Sequence, residues 1–246
     1  MAKDDWQFSE FMSDWRAIVG LIAVCVLGLL VLNRLTVRQM KNQARRIVYA
    51  TTPETLGPSF EGWTLAVIAR FNMNMGRPVD RFQASWFQRQ GLEIVLQKDW
   101  QITSAATLSR ALQQLNDVGY RHHYGQATGE PVATFLAWDY GRIVWLAWAG
   151  HQLGWLDRQA MATWVARAAS AMQSTYADWG AFATGYLRGL TQWSKEVSAA
   201  GEPEISKRAF ETLMTDPTSP WRRVPWLTRV MAREGALTGQ AAAMQT

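Results

Sequence analysis

The chain has 246 residues, with 25 Lys+Arg against 20 Asp+Glu, a formal charge of +5, 14 Trp and a single Cys. At 48% hydrophobic and 18% charged residues it is not a disordered chain, and its length leaves room for one or two domains with a sizeable core. One Cys excludes an intrachain disulfide and any zinc site built on several cysteines.

In chain order, residues 1–16 form a short tail carrying Asp4, Asp5, Glu10 and Asp14. Ala17 to Asn33 follow without a charge and are mostly Ile, Val, Leu, Ala and Gly. As a helix this run spans roughly 25 Å, the short end of what a hydrocarbon core requires, and Phe11 and Trp15 extend it at the interface. A cleaved signal peptide is the competing reading. It expects a basic leading region and a small-x-small cleavage pattern, and neither is present. The expectation is therefore an uncleaved transmembrane anchor over 17–33, with Cys25 buried in lipid.

Next come Arg34, Arg38, Lys41, Arg45 and Arg46, with no acid before Glu54. By the positive-inside rule this basic stalk, residues 34–50, places the C-terminal part in the cytoplasm. Arg34, Arg38, Lys41 and Arg45 recur at helical spacing, a stripe suited to anionic headgroups or serving only as a topology signal. Without those five basic residues, 20 Lys+Arg face 20 Asp+Glu in the rest of the chain. The basic excess is thus local to the stalk. It gives no reason to expect nucleic acid.

Thr51-Thr52-Pro53 and Gly57-Pro58 separate the stalk from an expected helical domain over residues 51–230, followed by a loose Ala/Gly/Gln tail, 231–246. Helical periodicity predicts helices over Trp63–Met75 and Phe82–Leu96, the second bearing Phe82, Trp86, Phe87 and Ile94. Thr103 or Ser104 caps a third, with Leu108, Leu112, Leu115 and Val118 on one side and its end at Gly119. A turn-rich stretch with Gly125, Gly129 and Pro131 leads to Phe135–Leu153. Asp157 and Asp178 cap two more helices, and a short one lies near Arg208–Met214. No strand pattern competes, so the fold class expected is all-α.

Ala137-Trp138-Asp139-Tyr140-Gly141-Arg142, with Leu146-Ala147-Trp148-Ala149-Gly150 and Gly154-Trp155-Leu156, resembles a bacterial domain of unknown function found in YbeU/YbeR-like proteins. Asp99-Trp100-Gln101-Ile102-Thr103, Gly119-Tyr120-Arg121, Trp179 with Phe182, Gly185-Tyr186 and Gly189, and the ending Asp216-Pro217-Thr218-Ser219-Pro220-Trp221 with Pro225-Trp226 fit the same pattern in order. The resemblance covers about residues 86–226 and implies a helical fold. Position 101 departs from it, holding Gln where the family usually has Gly. No activity is implied.

Asp139 and Arg142 stand at i and i+3 among large apolar residues, where a buried charge needs a partner. They read either as a carboxylate with an anion-clamping Arg or as a structural ion pair. Among the histidines, His123 or His151 can join Asp139 or Asp157 across the fold, whereas adjacent His122-His123 offers no metal-ligand spacing, so no metal and no cofactor is expected. Gly141 and Gly185-x-x-x-Gly189 mark close helix approaches. Trp221, Arg222, Arg223 and Trp226 form a Pro-punctuated strap, either a partner-binding surface rich in hot-spot residue types or a segment laid over the helices with its rings filling gaps.

Taken together, the residues predict a non-enzymatic protein-interaction module anchored in a bacterial inner membrane. By analogy with other small anchored helical domains, its partner is a toxin, a secretion component or a chaperone. The alternatives are a membrane-associated hydrolase using Asp139 and Arg142 with a histidine, and an adaptor for chaperones or membrane stress.

Overall fold

The computed structural model describes Val48 and residues 56–230, all within one compact unit, Ala44–Thr246. The expected anchor 17–33, the stripe Arg34, Arg38, Lys41 and Arg45, and the tail 231–246 lie outside the described residues. Among the described residues there is no strand, only an isolated bridge between Val48 and Pro78, and no helix long and apolar enough to cross a membrane. The domain is all-α.

Helix α1 spans Phe60–Asn74 and starts where Ser59 accepts the Gly62 N–H, three residues before the apolar periodicity begins. Helix α2, Trp86–Trp100, opens on a reciprocal capping box between Ser85 and Gln88. That box, not the apolar periodicity, sets the start, so Phe82 lies before the helix. Phe82 is buried, whereas Trp86 (61% exposed), Phe87 (78%) and Ile94 (51%) point outward and Leu92 and Leu96 make the core contact. Helix α3, Ala105–Asp117, is capped by Ser104 and buries Leu108, Leu112 and Leu115.

The stretch expected as turns is a helix, α4, Gly119–Thr128, which has no side-chain cap from its own flank. After a 3-10 turn at Val132–Phe135 comes α5, Leu136–Gln152. It is followed by α6, Arg158–Thr175, and α7, Trp179–Glu196, whose Asp157 and Asp178 caps accept the Ala160 and Ala181 N–H groups. Helix α8, Glu202–Thr215, is about twice as long as its sequence pattern suggests, because Pro203 sits in the first turn, where it lacks no hydrogen bond. A single turn, α9, Pro220–Arg223, opens the C-terminal strap.

Helix α5 is the centre: α1, α3, α6 and α7 pack around it. Apolar residues on all its sides are buried, from Ala137 and Trp138 through Ile143, Val144, Trp145 and Trp148 to Ala149. Close approach needs small residues at the crossings. A Cβ on Gly189 of α7 would stand 2.6 Å from Trp138 Cγ, and one on Gly185 would stand 2.6 Å from the Tyr176 hydroxyl. The same hydroxyl donates to Ala133 O (2.8 Å) and accepts the Ala137 N–H (3.0 Å), joining the 3-10 turn to the start of α5.

A second aromatic cluster holds the strap. Trp221 stacks on Trp179 (5.2 Å between centroids) and on Phe210 (5.3 Å), and Trp226 meets Trp179 edge-on at 4.7 Å. Outside regular structure a buried carbonyl needs another donor, and the indole N–H groups supply it. Trp63 donates to Trp226 O and Trp179 to Val224 O. In return Trp221 donates to Ala66 O and Trp226 to Tyr176 O.

Candidate functional site

The site forms where α2 ends, α4 begins and α5 passes. Helix α2 stops at Gln101, which adopts the left-handed conformation (φ 56, ψ 29) and donates its N–H to Leu96 O, as does Ile102. A side chain in that region costs about 1–2 kcal/mol, and glycine there adds unfolded-state freedom that removes part of the relief. Gln101→Gly is expected to stabilise the domain by about 0.5–1 kcal/mol, read as a raised urea midpoint. A lowered midpoint would contradict the strain assigned to this turn.

Asp139 is fully buried, and its carboxylate accepts the N–H of Tyr120 (3.1 Å) and of Arg121 (2.9 Å) and the Arg121 Nη1 (3.1 Å). The first turn of α4 is thus capped by a carboxylate from α5. Arg121 also donates to Leu115 O (2.6 Å) and Asn116 O (2.5 Å), satisfying the last turn of α3. One ion pair therefore joins the end of α3, the start of α4 and the middle of the core. The partner of Asp139 is Arg121, not Arg142, which lies one helical turn further along α5. Gly119, with φ +60, permits this approach, since a Cβ there would overlap Asp139 Oδ2 and Arg121 Nη1.

Arg142 is left without a carboxylate. Of the buried arginines, Arg70 is held by Ser206, Tyr186 and Glu202, Arg77 donates to Gln88 O, and Arg121 has the partners above. Arg142 is 5% exposed, makes no hydrogen bond or ion pair among the described residues, and has its Nε buried without an acceptor. Its guanidinium lies among the rings of Trp138 (4.3 Å to the centroid), Tyr120 (4.6 Å) and Trp100 (5.0 Å). These contacts offset part of the desolvation of the cation but accept none of its N–H groups in the ring plane. Burial pulls its pKa below the ordinary arginine value, while the nearby Asp139 charge acts in the opposite direction. An arginine stays protonated at neutral pH through such a shift. Trp138 Nε1, four residues before it on α5, is likewise buried without an acceptor.

Arg142 lines a cavity of about 530 Å³ whose other walls include Trp100, Tyr120, Asp99, His123 and Glu196. His123 Nε2 and Glu196 Oε1 stand 3.0 Å apart, and the Tyr124 hydroxyl donates to Glu196 Oε2 at 3.4 Å. Asp99 is exposed and in no ion pair among the described residues. Such a volume is of the size that accommodates a small ligand or an inserted side chain.

Of the residues singled out from sequence, the structure brings Arg142 and His123 to this cavity and places Asp139 behind it, closed off. His151 is on the last turn of α5 with Nδ1 3.1 Å from Leu156 O and does not line the cavity. Among the described residues no group of His, Cys, Asp and Glu has the arrangement of a metal site. Trp221 and Trp226 are each 5% exposed and turned into the core, so the strap presents Arg222, Arg223 and Leu227 outward instead. Sequence reasoning assigned no role to Arg121, Asp99, Trp100, Tyr120 or Glu196. The signal that pointed to most of them was the recurrence of Asp99-Trp100 and Gly119-Tyr120-Arg121 beside Trp138-Asp139-x-x-Arg142 in the resemblance, and these three stretches meet here.

No curated protein and no solved structure matches the chain. Helix α5, with Asp139 and Arg142, falls inside residues 128–226, a stretch that matches the model of the family DUF1266, described as a protein of unknown function.

Proposed function

We propose that the chain is a non-enzymatic, membrane-anchored binding module of the YbeU/YbeR-like kind, and that it holds its partner through an acidic group received by Arg142. The observation that carries the reading is a buried, unpaired guanidinium on the wall of a cavity. An unpaired buried charge is destabilising, so its presence is best accounted for by a ligand that pairs it. The only acid of the Trp-Asp-x-Gly-Arg block is occupied as a helix cap, which removes the base that a catalytic reading of that block requires. The apolar run 17–33 and the basic stalk support anchorage in a bacterial inner membrane with this domain cytoplasmic. A toxin, a secretion component or a chaperone remains the kind of partner proposed.

The test is calorimetric titration of the full chain in detergent with 3-phenylpropionate, a carboxylate whose ring suits the Trp100 and Tyr120 walls. Saturable binding that Arg142→Gln abolishes is expected; binding that the variant leaves unchanged, or no binding, contradicts the reading. For the anchor, the chain is expected to stay in the membrane pellet through alkaline extraction, and release into the supernatant contradicts it.

A second reading is favoured by the His123–Glu196 pair, which shares the cavity with Arg142. In a hydrolase acting on a phosphate-bearing or lipid-derived substrate, Glu196 would orient His123 as the base and Arg142 would clamp the anion. Turnover of a phosphate ester by purified protein, lost in His123→Ala, would favour it over the binding module. Absence of turnover across an ester and phosphate-ester panel counts against it.

A further inference from the structure

The walls of the cavity carry both signs of charge, and they are not paired with each other. Arg142 supplies the cation, and Asp99 and Glu196 supply two carboxylates, yet no ion pair joins either acid to Arg142. Glu196 is shared with His123 and the Tyr124 hydroxyl, and Asp99 faces solvent with no ion partner among the described residues. Arg142, Asp99 and Glu196 together give the cavity one positive and two negative side chains. A dianion such as a phosphate monoester meets one attraction and two repulsions there. A simple carboxylate satisfies Arg142 and leaves the acids unpaired. A ligand with a carboxylate at one end and an ammonium at the other complements all three.

Resting on the reading of Arg142 as the anion-receiving group, we infer that the cavity takes a zwitterion. The carboxylate of the ligand pairs with Arg142, its ammonium faces Asp99 and Glu196, and an apolar body lies along Trp100 and Tyr120. Such a group is offered by a free α-amino acid or by a protein segment with an ammonium beside a carboxylate. In either source the guanidinium pairs with a carboxylate, the geometry it matches best. The aromatic walls add apolar contact with little entropy to lose on binding, because the Arg142, Trp100 and Tyr120 side chains are already packed on one another.

The experiment titrates the full chain with L-phenylalanine and with N-acetyl-Lys-Phe, both zwitterionic. 3-Phenylpropionate serves as the acid control and 2-phenylethylamine as the amine control. At least one zwitterion is expected to bind tenfold or more tightly than 3-phenylpropionate, with no binding of the amine. The two zwitterions separate the sources: preference for phenylalanine identifies a free amino acid, and preference for the blocked dipeptide identifies a protein segment. Arg142→Gln is expected to abolish binding of every probe. The double variant Asp99→Asn/Glu196→Gln changes only solvent-facing side chains, and it is expected to bring the zwitterion and the acid within twofold of each other. If 3-phenylpropionate binds as tightly as both zwitterions in the unaltered chain, the inference is overturned while the role of Arg142 stands. If no probe binds, or zwitterion binding survives both variants, the inference and the role of Arg142 fall together.

Discussion

Asp139→Ala is expected to destabilise the domain by about 3–5 kcal/mol, the effect of stranding a buried cation by removing its partner. The substitution does three things at once. It leaves Arg121 without a counter-charge at 7% side-chain exposure, strips the cap from the first turn of α4, and opens a polar void in the core. In a domain of this size that corresponds to a fall in Tm on the order of 10 °C, measured by circular dichroism at 222 nm. A double-mutant cycle identifies the partner. Asp139→Asn with Arg121→Met is expected to show a coupling of about 2 kcal/mol or more, since the two groups are in direct contact. Asp139→Asn with Arg142→Met is expected to be close to additive. The reverse pattern would mean that Asp139 belongs with its neighbour on α5.

Gly119→Ala carries the second large penalty, about 2–5 kcal/mol, from a left-handed backbone combined with overpacking against the ion pair. The new methyl would overlap Asp139 Oδ2 and lie 2.8 Å from Asp139 Cγ, in a place where both Asp139 and Arg121 are fixed by several hydrogen bonds. Neither side chain is a flexible end that can swing away. Gly129→Ala is the matched control: its φ of +72 is also left-handed, but nothing lies within 4 Å of its Cβ. That variant isolates the backbone contribution, expected at about 1–2 kcal/mol. Equal losses at the two positions would show that contact with the ion pair adds nothing at Gly119.

The local signals in the sequence were reliable where the partner of a group is itself local. Ser104, Asp157 and Asp178 each cap a helix by accepting an N–H three residues on, and each is legible from residue type and spacing. Helix α4 was not legible, because its cap comes from Asp139, about twenty positions later, and Gly-Tyr-Arg-His-His-Tyr-Gly has little helix propensity of its own. The same non-locality accounts for the pairing of Asp139. Spacing on α5 brings Arg142 to mind, but Arg121 also satisfies two carbonyls at the end of α3, which Arg142 does not reach.

The aromatic residues were harder still. Trp86 and Phe87 have the composition of a core face, yet the Ser85 capping box turns the helix so that they are exposed. Trp221 and Trp226 have the composition of a contact surface, yet the carbonyls of Ala66 on α1 and of Tyr176, just after α6, accept from their indoles and hold them inward. In both cases composition gives the energy that burial offers, and a hydrogen bond elsewhere decides which rings receive it.

The cavity shows how the fold produces a site. Ending α2 at Gln101 presents Trp100, capping α4 from Asp139 presents Tyr120, and the turn of α5 that follows Asp139 presents Arg142 between them. The ion pair holds the frame; the neighbouring arginine, on the cavity wall, is the group proposed to receive the ligand. The most direct measurement of that division is the stability of Arg142→Met by urea unfolding. A residue kept for a ligand is expected to leave the domain as stable or up to a few kcal/mol more stable when replaced by an apolar isostere, with loss of 3-phenylpropionate binding. A loss of about 3 kcal/mol or more would place Arg142 with Asp139 and Arg121 among the groups that hold the fold.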